Sequence, residues 1–288
     1  MSITSALGRA LFGLMFFCLL FAFVERVLGR ARGPWLRRGC WTDAAYWFFT
    51  IAVIKPMNRL ALMLPVAFLV WLGCASVADF RNNAYQGFGP LAAQPLALQA
   101  IEVYLLADFI AYWTHRLFHR GKWWPFHAVH HSSEHLDWLA AHREHPLDSI
   151  YTQTLINLPP FVLGFPIETL AGLVAFRGLW AIYIHSNVRL PIGPLRWFIG
   201  APELHHWHHD RDQHAGNYAN ISPLMDLLFG TYVCPDHEPR ALGLQEPMPK
   251  GYIRQLIAPL TPSAWWRGRG ARGSSGAKPE EVRELDAR

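Results

Sequence analysis

The stretch LALQAIEVYLLADFIAYWTHRLFH, residues 96–119, decides how this chain is read. It starts as an apolar segment close to the roughly 20 residues that cross a bilayer, and it ends on two histidines, His115 and His119. Residues three and four apart share a helix face. A helix from Leu96 to Trp113 that runs on through His119 therefore carries two imidazoles on one side of its end. Asp108 and Tyr112 extend that face, since Asp108, Tyr112, His115 and His119 are spaced four, three and four apart. An Asp one or two turns away can accept the second ring N–H of a ligating His, which is the expected role of Asp108. Pairing with Arg116 or with solvent is the ordinary alternative.

Two more clusters follow the first. His127-Ala128-Val129-His130-His131 is H-x2-H-H, and His205-His206-Trp207-His208-His209 contains a second copy of that spacing. All 15 histidines lie between His115 and His237. A lone buried histidine is usually a hydrogen-bonded core residue. Three face-matched clusters in one apolar chain are different, because so many buried imidazoles need a strong compensating partner. Neutral imidazole suits Zn, Cu, Fe and Ni. A structural zinc site closes with four ligands, and eight imidazoles exceed one such ion. Two metals in a His-lined cavity is the economical reading. His142-Arg143-Glu144-His145 is also face-matched, but it is not the H-E-x-x-H of zinc proteases.

The rest of the chain frames this cavity as a membrane site. Of its 288 residues, 52% are hydrophobic and 16% charged, where an average soluble domain has about a quarter charged. The mean hydropathy is +0.11 and the isoelectric point about 9.2. The net charge of +5 is Arg-rich and flanks apolar segments, which points to a membrane surface before nucleic acid. Cys18, Cys40, Cys74 and Cys234 form no C-x-x-C pair, so neither a disulfide framework nor a thiolate zinc site is expected.

Residues 10–28 read as an uncleaved first helix. The loop carrying Arg26, Arg30, Arg32, Arg37 and Arg38 is expected in the cytoplasm by the positive-inside rule. Asp43 to Ile54 reads as an interfacial segment stopped by Lys55-Pro56, and Arg59 to Val77 as the outward crossing. Residues 79–95 are a polar outer loop. The 96–119 helix returns, and 148–163 and 167–185 form a hairpin that enters the bilayer and comes back. His185 then falls on the same side as His115.

The expected fold is all-α: a multi-pass membrane bundle of about four to five helices, with a cytoplasmic helical cap carrying a histidine-rich dinuclear site. Residues 1–95 are membrane helices and interfacial segment, and 96–240 the catalytic domain. Residues 241–288 are an interfacial segment, with Trp265-Trp266 before Arg267 and Arg269, and a Gly-, Ser- and charge-rich tail from 268 expected to be disordered.

An all-nitrogen site beside the bilayer points to O2 chemistry on a lipid, since O2 and long hydrocarbon chains both partition there. The carboxylate-rich pattern of soluble di-iron bundles is absent. Three other classes compete. A metal carrier would spread ionisable groups through the span, a bis-His haem protein would use single facing histidines, and an intramembrane metalloprotease would need H-E-x-x-H.

These residues carry a family resemblance. The set H-x3-H, H-x2-H-H and H-x2-H-H resembles that of the fatty acid hydroxylase/sterol desaturase superfamily. Asp108-Phe109-Ile110-Ala111-Tyr112-Trp113-Thr114-His115-Arg116 is similar to its D-F-x-x-Y-W-x-H-R. Arg143-Glu144-His145-Pro146-Leu147 is similar to R-x-H-P-L, and His185-Ser186-Asn187-Val188 to H-S-N-V. His208-His209 followed by Asn217-Tyr218 is similar to its closing H-H…N-Y. The resemblance covers about residues 96–235.

It implies a membrane-bound non-haem di-iron oxygenase that hydroxylates or desaturates a lipid C–H bond, with two irons and O2. The implied metal ligands are His115, His119, His127, His130, His131, His205, His208 and His209, with His145 and His185 as further members. Asp108, Asn217 and Tyr218 would orient them. His135, His142, His206, His214 and His237 match no motif. No haem-binding cytochrome b5 segment is recognised, so the expected electron donor is a separate ferredoxin or cytochrome b5 with its reductase. The expected location is an integral, multi-pass position in the membrane, the inner membrane in a bacterium. Trp113, Trp123, Trp124, Phe126 and Trp138 are candidates to line a substrate channel or to form an interface belt.

Overall fold

The computed structural model describes residues 3–29, 37–81, 85–190, 193–211, 216–246 and 248–261. Arg30, Arg32, His214, the Trp265-Trp266 motif with Arg267 and Arg269, and the tail from 268 lie outside them. The described residues form helices and no strand; the sheet-like contacts are isolated bridges, Gly29–Val188 and Asp210–Leu242.

Helix α1 (Ile3–Leu28) is unbroken. Leu11, Phe12, Leu19 and Phe23 stand mostly exposed along it, an apolar surface larger than a soluble monomer tolerates. Its other side packs on α2 (Cys40–Phe49): the Trp47 indole N–H donates to the Ala10 carbonyl, and Phe17 and Phe21 stack on Trp138.

The second membrane segment corrects the sequence reading. Instead of stopping at Lys55-Pro56, α2 passes through a π-helical turn at Thr50–Ile54 into α3 (Lys55–Ala61) and α4 (Met63–Trp71). Together they make one 32-residue run long and apolar enough to cross. A proline ring clashes with the carbonyl four residues back and lacks an N–H. The wider π turn before Pro56 absorbs that clash without ending the helix. The segment expected at the interface is therefore the first half of the second span.

Short helices α5 (Val77–Arg81) and α6 (Gly89–Ala92) cross the far end of the bundle. Gly87 touches the turn between the later helices so closely that a Cβ there would lie 2.1 Å from the Gly164 carbonyl oxygen. Helix α7 (Leu96–Phe118) is the third candidate span and α10 (Ile167–His185) the fourth. Helix α9 (Pro146–Val162) lies against α7, where Ala107 and Ala111 are small enough to admit Ile156. Between them come α8 (Trp124–His131) and a 3-10 turn at Trp138–His142. After α10 follow α11 (Pro202–His208), α12 (Leu224–Leu228) and α13 (Tyr252–Ile257).

One end of the bundle gathers the chemistry. The Gly29–Val188 bridge and the hydrogen bond from Arg189 N–H to the Leu28 carbonyl join the end of α1 to the chain just after His185. At the same end, Asp43 is completely buried between Arg37 (2.6 Å) and Arg143 (2.6 Å). Arg37 also binds Asp137, whose carboxylate caps the 3-10 turn at Leu139 and Ala140. A carboxylate shared by two guanidiniums is satisfied even without water. This network fixes the segment 137–143 against α2.

A candidate two-metal centre

Three helix ends and one helix terminus bring the histidines together. His115 and His119 leave the end of α7. His127, His130 and His131 come from α8, His185 ends α10, and His205, His208 and His209 come from α11 and its last turn. Their ring nitrogens form two groups within which all donor atoms lie within 4.8 Å of one another. The first group is His115, His119, His127, His131 and His208, and the second is His130, His185, His205 and His209. The groups share a wall, where the His131 and His209 rings stack at 4.4 Å.

Each H-x2-H-H motif therefore serves both groups. Successive helix residues turn by about 100°, so residue i+4 lands about 40° from i and residue i+3 about 60° to its other side. His127 and His131 accordingly stay together while His130 turns to the second group. In α11, His205 and His209 stay together while His208 turns to the first.

The ring protons show what these rings are built to hold. His115 Nδ1 donates to the Tyr218 carbonyl (2.7 Å), and His127 Nδ1 to Asp148 (2.7 Å). His130 Nδ1 donates to the Arg143 carbonyl (2.9 Å), His185 Nδ1 to the Ala181 carbonyl (2.7 Å), and His208 Nδ1 to the Gly216 carbonyl (2.8 Å). These partners only accept, so each ring keeps its proton on Nδ1 and turns a bare Nε2 lone pair inward. Yet Nε2 of His115 lies 2.9 Å from Nε2 of His127, and Nε2 of His185 lies 3.3 Å from Nε2 of His130. Two lone pairs facing at that distance repel unless a cation sits between or beside them. One such pair occurs in each group. In the first group the buried Nε2 of His131 likewise has no hydrogen-bond partner.

Burial, and then the neighbouring imidazoles, hold His131, His205, His208 and His209 well below the ordinary histidine range; burial followed by His130 does the same to His127. The rings stay neutral, as metal ligands must be. An all-imidazole donor set of this kind fits iron, as it fits zinc or copper.

Other expected site residues fall differently. His145 joins neither group. Its Nδ1 caps α9 by accepting from the Leu147 N–H (3.1 Å), and its Nε2 meets the Leu256 carbonyl (3.1 Å). Pro146 follows at the first position of α9. Asp108 does not support a histidine. It is completely buried and points toward the Ile221 and Ser222 backbone amides without completing a hydrogen bond. Seven residues of helix, about 10 Å, separate it from His115, too far for contact with that ring.

The carboxylate beside a candidate ligand is Asp148, three residues after His145, and sequence reasoning missed it. Asp226 was missed too: it accepts from the Tyr218 and Ala219 N–H groups and from the Thr231 hydroxyl, fixing the carbonyl that holds His115. Asn217 has a left-handed backbone (φ 53°), and its side chain bonds the Leu204 and Val233 carbonyls and the Val233 N–H. It locks the loop after α11, and the Tyr218 ring packs on His115, His119 and His208.

The aromatic candidates divide. Trp124 lies on His119 and His131, whereas Trp138 is locked in the stack with Phe17, Phe21 and Trp47. Trp113 is part-exposed, Trp123 packs on Phe118 and Tyr151, and Phe126 on His145. Outside the groups, His206 pairs with Arg189 and Glu238, and His142 packs edge-on against Trp47.

A helical bundle with four candidate membrane helices that closes one end with neutral imidazoles in two facing groups defines a class by its donor set, proteins able to hold transition-metal ions at the end of a membrane bundle. Residues 100–231 of the chain match the fatty acid hydroxylase family, and its relatives fall in the fatty acid hydroxylase/sterol desaturase superfamily. It is 27% identical over 269 residues to the ornithine lipid hydroxylase OlsE of Rhizobium tropici, covering 91% of this chain and 77% of that one. It is 34% identical over 148 residues to the alkylglycerol monooxygenase of Homo sapiens, covering 50% of this chain but 33% of the relative. It is 31% identical over 165 residues to a very-long-chain aldehyde decarbonylase of rice, Oryza sativa, covering 54% of this chain and 61% of the relative. No solved structure matches the chain.

Proposed function

We propose that this protein holds two irons and uses O2 and external electrons to hydroxylate a C–H bond of a membrane lipid. The observation that supports it most is the pair of bare Nε2 atoms in each histidine group. His115, His119, His127, His131 and His208 would hold one ion, and His130, His185, His205 and His209 the other. His145 is left out of the ligand set because both its ring nitrogens are engaged elsewhere. Bound iron supplies the capacity to activate O2.

The chain's own residues do the rest. Tyr218, Arg143, Ala181 and Gly216 carbonyls and the Asp148 carboxylate keep Nδ1 protonated on His115, His130, His185, His208 and His127 respectively and aim the Nε2 of these five rings inward. Such partners are worth roughly 10–100-fold in metal affinity or activity. Asp226 and Asn217 fix the 217–218 loop. The region 96–240 is the catalytic unit on this reading.

Relatives in the superfamily are named for ornithine lipid, alkylglycerol and very-long-chain aldehyde chemistry. A lipid substrate is common to them, and hydroxylation or monooxygenation is the more frequent activity. The end of α1, with Arg26, and Arg37 lie at the metal end of the bundle, which the positive-inside rule assigns to the cytoplasm. A separate ferredoxin or cytochrome b5 type partner would deliver electrons there. A non-catalytic metal carrier is the competing reading.

Lipid mass spectrometry of cells with and without the protein tests the activity. A lipid heavier by one oxygen is expected in cells that make the wild type and not in cells that make His208→Ala. A lipid lighter by two hydrogens would make the reaction a desaturation. An unchanged lipid profile in cells supplied with the electron donor would favour the carrier.

A further inference from the structure

Tyr112 and Arg116 sit one turn apart on α7, on either side of His115 in the sequence. The Arg116 guanidinium lies over the Tyr112, Trp113 and Tyr218 rings, 5.9, 5.5 and 6.0 Å from their centroids. Its Nη1–H donates to the Tyr112 hydroxyl (2.9 Å). The Tyr112 hydroxyl meets Thr231 Oγ1 (2.9 Å), and Thr231 Oγ1 meets Asp226 Oδ1 (2.7 Å). Tyr112 and Asp226 are both buried.

One arrangement of protons fits these contacts. A guanidinium donates and never accepts. Burial raises the Asp226 carboxyl to about 6, so at neutral pH it is ionised and only accepts. The Thr231 proton therefore goes to Asp226. The Tyr112 proton goes to Thr231, and the Tyr112 oxygen accepts from Arg116. Four side chains thus form a chain of hydrogen bonds that runs one way, from a cation to an anion. Each bond polarises the next, and the two end bonds are charge-assisted.

The anionic end reaches a histidine. Asp226 Oδ2 accepts from the Ala219 N–H (2.9 Å), and Oδ1 also takes the Tyr218 N–H (2.8 Å). The Ala219 N–H belongs to the same peptide unit as the Tyr218 carbonyl, which accepts from His115 Nδ1 (2.7 Å). An amide whose N–H is held by a carboxylate is a better acceptor at its carbonyl. His127 has its carboxylate, Asp148, in direct contact, and His115 has Asp226 one peptide unit away. The circuit closes on α7, which is joined to the 218–231 segment once through the His115 ring and once through Tyr112.

We propose that Arg116, Tyr112 and Thr231 are positioning residues for His115: their chain fixes the Asp226 carboxylate, and through one peptide unit it sets the aim and donor strength of the His115 Nε2. This rests on the two-metal reading for its consequence, and it deepens that reading by naming residues that tune the first histidine group and not the second.

The test uses the full chain in detergent with two readouts. The first is nitrogen NMR of metal-free protein carrying isotope-labelled histidine, in which the His115 ring signals are identified by their loss in His115→Gln. They are expected to move in Thr231→Val and in Tyr112→Phe and to keep their wild-type positions in Thr231→Ser. The His185 signals should stay still in all three. The second readout is binding of cobalt(II) alone, in competition with a chelator. One of two bound ions is expected to weaken about tenfold in Thr231→Val and in Tyr112→Phe, with shifted ligand-field bands. The double variant should weaken it no further, since both changes break one chain. Arg116→Gln keeps an N–H for Tyr112 without the charge and should give a smaller loss. His115 signals that stay in place in Thr231→Val, or losses that add in the double variant and strike both ions alike, overturn the proposal. Should Tyr112→Phe fail to fold, the contrast between Thr231→Val and Thr231→Ser decides alone. The two readings fail separately. Moved His115 signals in a protein that binds no pair of cobalt ions defeat the two-metal centre, and paired cobalt with unmoved signals defeats the chain.

Discussion

His127 and Asp148 illustrate how the centre is built at the level of single residues. The carboxylate keeps the imidazole proton on Nδ1 and frees Nε2 for the cavity. Asp148→Asn keeps the shape but loses the charge, and it can offer an amide N–H to the same nitrogen. Iron affinity, measured by chelator competition, is expected to fall roughly 10–100-fold. Asp108→Asn, which touches no histidine, should leave iron affinity unchanged in the same assay. His145→Ala should also retain iron, whereas His208→Ala should lose it while the protein still reaches the membrane. A His145→Ala protein without iron would return that residue to the ligand set. The gathering of the candidate histidines was legible in the chain, because imidazoles repeated at i, i+3 and i+4 in three apolar segments need a common partner to be buried together. The division between two groups was not, since it depends on how α8 and α11 are rotated by contacts far away in sequence. Asp148 and Asp226 were hidden for the same reason: each acts through a partner brought near only by folding.

At the scale of elements, membrane helices were readable from hydropathy alone, and their interruptions were not. Lys55-Pro56 looks like a stop, yet the π turn at Thr50–Ile54 carries the helix through. The polar elements at the metal end depend on Asp43, which is sealed between two guanidiniums. Removing one partner of a buried ion network leaves an uncompensated charge and costs about 3–5 kcal/mol. Asp43→Ala should therefore lower thermal stability in detergent strongly. It should also loosen the 137–143 segment, whose Arg143 carbonyl holds His130. A melting temperature within a degree of wild type would show that the network is not what fixes this segment. Asp43→Asn, which keeps hydrogen-bond acceptors, should be milder.

Over the whole molecule, the histidine end ties stability to pH. The buried imidazoles outside the spans have lowered pKa values in the folded state, by burial first. The unfolded chain therefore binds more protons than the folded chain below about pH 6.5, where free histidines protonate. Stability is fully present above that pH and is lost as the pH falls, by up to about 1.4 kcal/mol per pH unit for each such group. Metal-free protein should thus unfold steeply on acidification, and bound metal should move the transition to lower pH. A pH-independent melting curve for the metal-free form between pH 7.5 and 5 would contradict the burial of these rings.

Two metals held by two groups of histidines are the central claim, and metal analysis of the purified full chain expressed with iron reaches it most directly. About two irons per chain are expected in the wild type, falling to one or fewer when His130 or His208 is replaced by alanine. Zinc alone, or a single iron that both alanine variants retain, would contradict it.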